Sequence, residues 1–240
     1  VDDVGFLTSL ATYLQNEYSL SLQNTFSTGM SNGGDMSYML ACQAHDIFSA
    51  IAPVAGSMME SIYDSCDGAQ VPVLEIHGTN DNTTLWEGDM ENNDGWGAYL
   101  STLDAIDYWV DVNDCQESED INLPNTDFSD GSYVINHRYY DCAQNNEVWL
   151  YEVVNGGHDW PGAYGNMDID ASSEIWRFLE QFTFTIGDVN QDNILNILDI
   201  IYLIDLILDS ESNNSLADIN GDGQINVIDV VFLVNLILNE

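Results

Sequence analysis

Thr25-Phe26-Ser27-Thr28-Gly29-Met30-Ser31-Asn32-Gly33 is the stretch from which the fold is read. Thr25 to Thr28 is a short strand candidate ending in a glycine turn, and Gly29-Met30-Ser31-Asn32-Gly33 has the spacing G-x-S-x-G. In that pattern the serine occupies a strained turn between strand and helix, which pushes its hydroxyl out beyond the sheet. Small residues on either side let the backbone approach closely. Ser37 to Cys42, with Met36, Met39 and Leu40, supplies the helix that follows. The N–H of Asn32, at the N-terminus of that helix, points at a developing oxyanion. Ser31 is therefore the candidate nucleophile and Asn32 the candidate oxyanion donor.

On either side, helix and strand signals alternate over residues 1–182. Val4, Leu7, Leu10, Ala11 and Leu14 follow helical spacing, and Asp2 and Asp3 sit where a helix N-terminus favours negative charge. Phe48 to Val54, Val71 to Ile76 and Val148 to Val154 are apolar runs, and Ser172 to Phe182 reads as a closing helix. Strands separated by helices predict a parallel sheet of the α/β kind. Two loops then matter. His77-Gly78-Thr79-Asn80-Asp81 delivers an acid at the end of one strand, and Gly156-Gly157-His158-Asp159-Trp160-Pro161-Gly162 delivers a base at the end of another. The order Ser31, Asp81, His158 is the nucleophile–acid–base order of α/β hydrolases. His77 reads as a brace for the acid loop. Asp159 competes for the acid role, but adjacent side chains rarely face each other. His45 and His137 have no supporting motif.

These residues resemble a secreted esterase family that includes poly(3-hydroxybutyrate) depolymerases, feruloyl esterases and acetylxylan esterases. The matching stretches are Asp2-Asp3-Val4-Gly5-Phe6, Gly29 to Gly34, Leu40-Ala41-Cys42, Phe48 to Gly56, Ile76-His77-Gly78-Thr79 and Gly157 to Gly162. The resemblance implies an α/β-hydrolase sheet and a serine esterase mechanism on Ser31, Asp81 and His158. Trp160, beside the base, would give an aromatic wall for an acyl or sugar group, or else fill the core. Family members carry further strands and a His-Gly-rich loop, with a second oxyanion donor, before the Asp-Asp-Val-Gly-Phe helix. This chain starts at Val1, so the expected sheet lacks its N-terminal strands. Losing one oxyanion donor typically costs about 100- to 1000-fold in turnover.

After a short join at 183–186, a repeat occupies 187–240. Gly187-Asp188-Val189-Asn190-Gln191-Asp192 recurs 30 residues later as Ala217-Asp218-Ile219-Asn220-Gly221-Asp222, and an apolar helix follows each copy. Both copies fit a twelve-residue calcium loop. The ligands are Asp188, Asn190, Asp192, the carbonyl of Ile194, Asn196 and Asp199 in the first, and Asp218, Asn220, Asp222, the carbonyl of Gln224, Asn226 and Asp229 in the second. Gly223 supplies the sharp turn, and Asn193 stands at the same place in the first loop. The arrangement, two Ca2+ loops each with a single helix, resembles type I dockerins, calcium-dependent modules that attach plant-polysaccharide enzymes to cohesins. In that family the partner-contacting positions often carry small hydroxyl residues. Here they are Ile197-Leu198 and Val227-Ile228, which points to a greasier partner, packing against the esterase domain, or self-association.

Composition excludes other classes. The chain of 240 residues has 2 Lys+Arg against 41 Asp+Glu, a formal net charge of −39. The two cations, Arg138 and Arg177, cannot grip a phosphate backbone or an anionic bilayer. No nucleic acid or membrane partner is therefore expected, nor is any stretch apolar enough to span a bilayer. Apolar residues make up 45%, too many for a chain without a core. Mutual repulsion among so many carboxylates calls for screening by salt or divalent cations. Cys42, Cys66, Cys115 and Cys142 match no metal spacing and read as two disulfides in one of three connectivities, the sequence-local pairs being favoured, or as free buried thiols. The first residues have no basic n-region, so any signal peptide is removed or not included.

The expectation is a secreted, extracellular serine carboxylesterase acting on a polymer (feruloyl or acetyl xylan, or polyhydroxyalkanoate) and carrying a calcium-ordered docking module. The alternative is a non-catalytic structural or adhesive protein that uses the same scaffold for assembly.

Overall fold

The structure, a computed structural model, describes residues 2–18, 20–21, 23–190, 192, 194–209 and 215–238. The chain divides into two compact units, Val1–Phe182 and Thr183–Glu240. In the first, helix α1 (Asp3–Tyr18) leads to β1 (Phe26–Met30), α2 (Asn32–Gln43), β2 (Ala50–Val54), the single turn α3 (Glu60–Tyr63) and β3 (Val73–Gly78). Then come α4 (Thr102–Val112), β4 (Glu117–Asn122), β5 (Tyr133–Tyr140), β6 (Val148–Val154) and α5 (Ala171–Leu179).

The six strands form one sheet in the order β1-β2-β3-β6-β5-β4. The first four run parallel, with Phe26 opposite Ala50, Val54 opposite Ile76 and Ile76 opposite Tyr151. The sheet is mixed rather than wholly parallel as expected, because β5 pairs antiparallel with both β6 and β4. A hairpin needs only a loop where a parallel neighbour needs a crossover, so β4–β5 can extend the sheet within a short span. Every residue of β4 is exposed, and Glu117, Glu119 and Asp120 keep this edge from pairing with other chains.

Alternation along the strands divides the core into two faces. Ala50, Ala52, Val54, Leu74, Ile76, Trp149, Tyr151 and Val153 pack with Ile175, Phe178 and Leu179 of α5. Ile51, Val73, Val148 and Leu150 face the other way, onto Tyr38 and Ala41 of α2 and Ile106 and Trp109 of α4. β2 and β3 are buried along their whole length, as central parallel strands must be. Helix α1 is covered less than its periodicity predicts. Val4, Leu7 and Ala11 meet Leu40, Ala44 and Phe48, of α2 and the segment after it, whereas Leu10 and Leu14 lie exposed outside this cluster.

Disulfides join Cys42 to Cys66 and Cys115 to Cys142, across sequence separations of 24 and 27 residues. The first ties the C-terminal turn of α2 to the segment after α3. Replacing Cys42 and Cys66 together by serine is expected to cost about 3 kcal/mol, from the closure entropy of loops of this size. The urea unfolding midpoint reads this loss, and an unchanged midpoint would refute it.

Both cations of the chain serve one side chain. The guanidinium of Arg177 lies 4.8 Å and that of Arg138 5.7 Å from the ring centre of Trp149, as cation–π contacts. Arg138 is held by Glu147 (Nε–Oε2 2.7 Å) and Glu119 (3.1 Å), and Arg177 by Glu174 (2.8 Å) and the Tyr151 hydroxyl.

In the second unit, α6 (Ile197–Asp209) and α7 (Val227–Leu238) pack around Val189, Leu203, Ala217 and Leu233, all buried. Leu203 and Leu233 are equivalent positions of the repeat. Ile197, Leu198, Val227 and Ile228 are exposed on this unit. One stripe of each helix therefore forms the small core, while the apolar residues at loop positions 10 and 11 remain outside it.

Candidate active site

Ser31 stands between β1 and α2 at φ 57° and ψ −124°, a backbone region in which a residue with a Cβ is strained. Its N–H donates to the Val54 carbonyl (3.0 Å), and its own carbonyl accepts from the N–H groups of Gly34 (2.7 Å) and Asp35 (3.0 Å), so the turn is pinned from both sides. Gly29 is required here, since a Cβ would come within 2.8 Å of the Gly33 Cα. The Ser31 side chain makes no capping bond to α2, so its hydroxyl is not drawn back into the helix. Asn32 opens α2, where the first N–H groups have no partner inside the helix.

Asp81 follows β3 and is 3% exposed. Its Oδ1 accepts the N–H groups of Thr83 (2.7 Å) and Thr84 (2.9 Å), and its Oδ2 lies 2.7 Å from Nδ1 of His158. The acid and base loops are stitched together by Thr79 N–H to the Val153 carbonyl (3.0 Å) and Asn80 N–H to the Gly156 carbonyl (2.8 Å). Gly78 permits this approach, because a Cβ there would sit 2.4 Å from the carbonyl oxygens of Gly156 and Gly157. Asp159 accepts from the Gly157 N–H (3.0 Å) within its own loop, which leaves the His158 ring to Asp81.

Ser31, Asp81 and His158 thus all follow the C-terminal ends of parallel strands, β1, β3 and β6, and so lie at the same end of the sheet. The base loop also reaches the elbow, with the Tyr164 hydroxyl 3.0 Å from the Met30 sulfur. Burial raises the Asp35 carboxyl, one turn into α2, while hydrogen bonds from Ser57 N–H and Oγ–H (2.7 and 3.1 Å) and the charge of nearby His158 oppose that rise. The hydrogen bonds of the described residues include none between Ser31 Oγ and the His158 ring. In unliganded enzymes this contact is often long and tightens with substrate bound. Trp160 packs against the α5 face of the core and donates its indole N–H to Ser172 Oγ at 3.2 Å.

Behind the acid lies a buried polar group whose extent the sequence reading missed. Glu75 and His77 are each 1% exposed, two apart on β3 and hence on one face. The Tyr38 hydroxyl donates to Glu75 Oε2 (2.9 Å), and His77 Nδ1 lies 2.9 Å from Glu75 Oε1. The available signal was two ionisable residues at strand spacing inside an otherwise apolar run.

The two loops of the second unit fold alike. Asp199 accepts from the N–H groups of Asn190 (3.3 Å) and Asn196 (2.8 Å), and Asp229 from those of Asn220 (3.2 Å) and Asn226 (2.8 Å). Both carboxylates are 0% exposed, yet residues 183–240 contain no Lys, Arg or His to neutralise them. A set of carboxylates, Asn amides and carbonyls is what a hard cation takes, so the residues fit calcium. Among the described residues no three His, Cys, Asp or Glu side chains gather as a metal cluster. Half of each loop's donors are amides and carbonyls, which lie outside that set. Asn193, at the turn position of the first loop, is outside the described residues, and no helix among those residues is long and apolar enough to cross a membrane.

The family model for the dockerin type I domain matches residues 186–238. The chain is similar to feruloyl esterase B of Piromyces equi, 24% identical over 188 residues that cover 76% of this chain and 32% of the relative. It is also similar to feruloyl esterase C of Emericella nidulans, 29% identical over 168 residues covering 66% of this chain and 50% of the relative. Among solved structures, the acetyl xylan esterase of Aspergillus awamori aligns at a TM-score of 0.46 and 13% identity, over 75% of this chain and 67% of that one. The chain spans about a third to a half of the length of the two feruloyl esterases. It therefore joins a region similar to feruloyl esterases to a region that matches the dockerin type I domain.

Proposed function

We propose that the first unit is a secreted serine carboxylesterase acting on ester groups of plant polysaccharide, feruloyl or acetyl, and that the second holds calcium and docks the enzyme to a cohesin-like partner. The reading rests on the 2.7 Å contact of Asp81 with His158 Nδ1, at the same carboxyl end of the parallel strands as the Ser31 elbow. Asp81 holds the proton on Nδ1, which leaves Nε2 to take the proton of Ser31. The Ser31 oxygen attacks the acyl carbon, and the Asn32 N–H stabilises the resulting oxyanion. His158 then protonates the departing alcohol oxygen. Water, deprotonated by the same ring, attacks the acyl-enzyme, and the carboxylic acid leaves as the proton returns to Ser31. The half-buried face of Trp160 supplies aromatic surface beside the base.

Calcium, when bound, neutralises the carboxylates of Asp188, Asp192 and Asp199 in the first loop and Asp218, Asp222 and Asp229 in the second. Asn190, Asn196, Asn220 and Asn226 and the carbonyls of Ile194 and Gln224 complete the two donor sets. The exposed Ile197, Leu198, Val227 and Ile228 then form an apolar contact face for the partner.

The full chain should release p-nitrophenol from p-nitrophenyl acetate, and ferulate from methyl ferulate or feruloylated arabinoxylan. Release no faster than the buffer blank from all of these esters would end the esterase reading.

A further inference from the structure

The acid has a second imidazole behind it. His77 Nε2 lies 2.9 Å from the Thr84 carbonyl, which can only accept, so this nitrogen carries a proton. Nδ1 faces Glu75 Oε1 at 2.9 Å. Burial raises the Glu75 carboxyl, but it accepts from the Tyr38 hydroxyl and the Gly56 N–H, donors that oppose that rise by favouring an ionised carboxylate and with it a proton on Nδ1. His77 Nε2 is also 3.7 Å from Asp81 Oδ2, the same oxygen that meets His158. Thr84 closes the arrangement, since its N–H holds Asp81 Oδ1 while its carbonyl is held by His77.

Few other charges reach this ring. From β6, Glu152 stands level with His77, but its carboxylate lies 2.8 Å from His137 Nε2. From α2 come only Tyr38 and, beyond it, Asp35, which acts on Tyr38. Trp86 covers the ring edge-on at 6.0 Å between centres, and α4 presents the apolar Ile106 and Trp109 to this side of the sheet. An ionisable pair this deep is costly unless each charge is matched.

Resting on the esterase reading above, we propose that His77 is a positioning residue for the catalytic acid. Kept as an imidazolium by Glu75, it fixes the Thr84 peptide with its Nε2–H and sets a positive charge 3.7 Å from the Asp81 oxygen that meets His158. His77 touches no reacting atom. The raised proton affinity of His77, sustained by the hydrogen bond and charge of Glu75 against burial, agrees with this geometry.

The test is Glu75→Gln, which keeps the shape and the Tyr38 contact but removes the charge that sustains the imidazolium. Without a cation beside Asp81, the acid–base pair retains its protons to higher pH. The acidic limb of the kcat/KM profile should therefore move up by about one pH unit, with kcat down about tenfold and KM unchanged. A purely structural Glu75 would lower the melting temperature and leave that limb in place, which would overturn the proposal. Proton NMR decides independently of activity. Native protein should show both ring N–H protons of His77 at neutral pH, and Glu75→Gln should move the His158 Nδ1–H resonance upfield. A single ring proton on native His77, or an unmoved His158 resonance, would overturn it. Should Glu75→Gln fail to fold, Tyr38→Phe withdraws one donor from Glu75 and should produce the same displacements in smaller measure. If the native chain proves inactive, the esterase reading falls, and the resonances still decide the charge on His77 and its hold on Asp81.

Discussion

Ser31→Ala should remove hydrolysis down to the background rate, a loss on the order of 10⁶-fold in kcat where a triad acts as a unit. The expected effect is this large because, in the proposed mechanism, the Ser31 oxygen is the attacking atom itself. The elbow holds position 31 at φ 57° between two pinned hydrogen-bond systems, so alanine inherits the backbone without the nucleophile. The fold should tolerate the change, since Ser31 makes no capping bond and the strain belongs to the main chain. Asp81→Asn should cost about 10⁴-fold, because an amide facing Nδ1 favours the wrong tautomer. Stopped assays on one chromogenic ester, with circular dichroism to verify folding, check both. Ser31→Ala protein that hydrolyses as fast as the native chain would locate the nucleophile elsewhere.

Removing calcium should have the second largest effect, and it should be confined to the second unit. That unit's interior is small, with four fully buried apolar residues at its centre, and domains of this size are marginal without a staple. It also buries Asp199 and Asp229 among hydrogen bonds but without a cationic side chain. A cation at 1,000 times its dissociation constant adds about 4 kcal/mol per site, and two sites together rival the whole stability of a typical small domain. Chelation should therefore melt residues 187–238, seen as loss of their dispersed amide resonances, while the first unit stays folded. Calcium should restore them, and Asp199→Ala with Asp229→Ala should abolish the restoration. Resonances unmoved by chelator would show that the loops stand without metal.

How much of this was legible in the sequence depended on how loudly each element is written. β2, β3 and β6 are apolar runs bounded by turns, and they lie within two residues of where those runs place them. The repeat is legible because oxygen donors at alternate positions serve a narrow chemistry. β4 is not, since an exposed acidic edge strand has no alternation for a periodicity argument to find. β5 alternates only partly, with Val134 and Asn136 inward, Arg138 in an ion pair and His137 within hydrogen-bond distance of Asp120 and Glu152, so it resembles a polar loop until β6 is beside it. Helix α4 carried a local mark in its Ser101 cap, whose hydroxyl accepts the Asp104 N–H, but the reading placed no helix or strand between Asp81 and Val148. The Ser31 turn and the Asp81 and His158 loops stood out as motifs. The Tyr38–Glu75–His77 chain was not, because Tyr38 belongs to another element and joins only when α2 packs on β3.

The pairing of both arginines around Trp149 has a consequence for survival outside a cell. Trypsin-type proteases cut after basic residues, and this polypeptide offers them two peptide bonds. One follows Arg138 within β5, which is paired on both sides, and the other follows Arg177 inside α5. Nicking concentrates at exposed loop tips, and neither arginine lies in a loop and there is no lysine, so digestion by that class of enzyme must wait for the first unit to open.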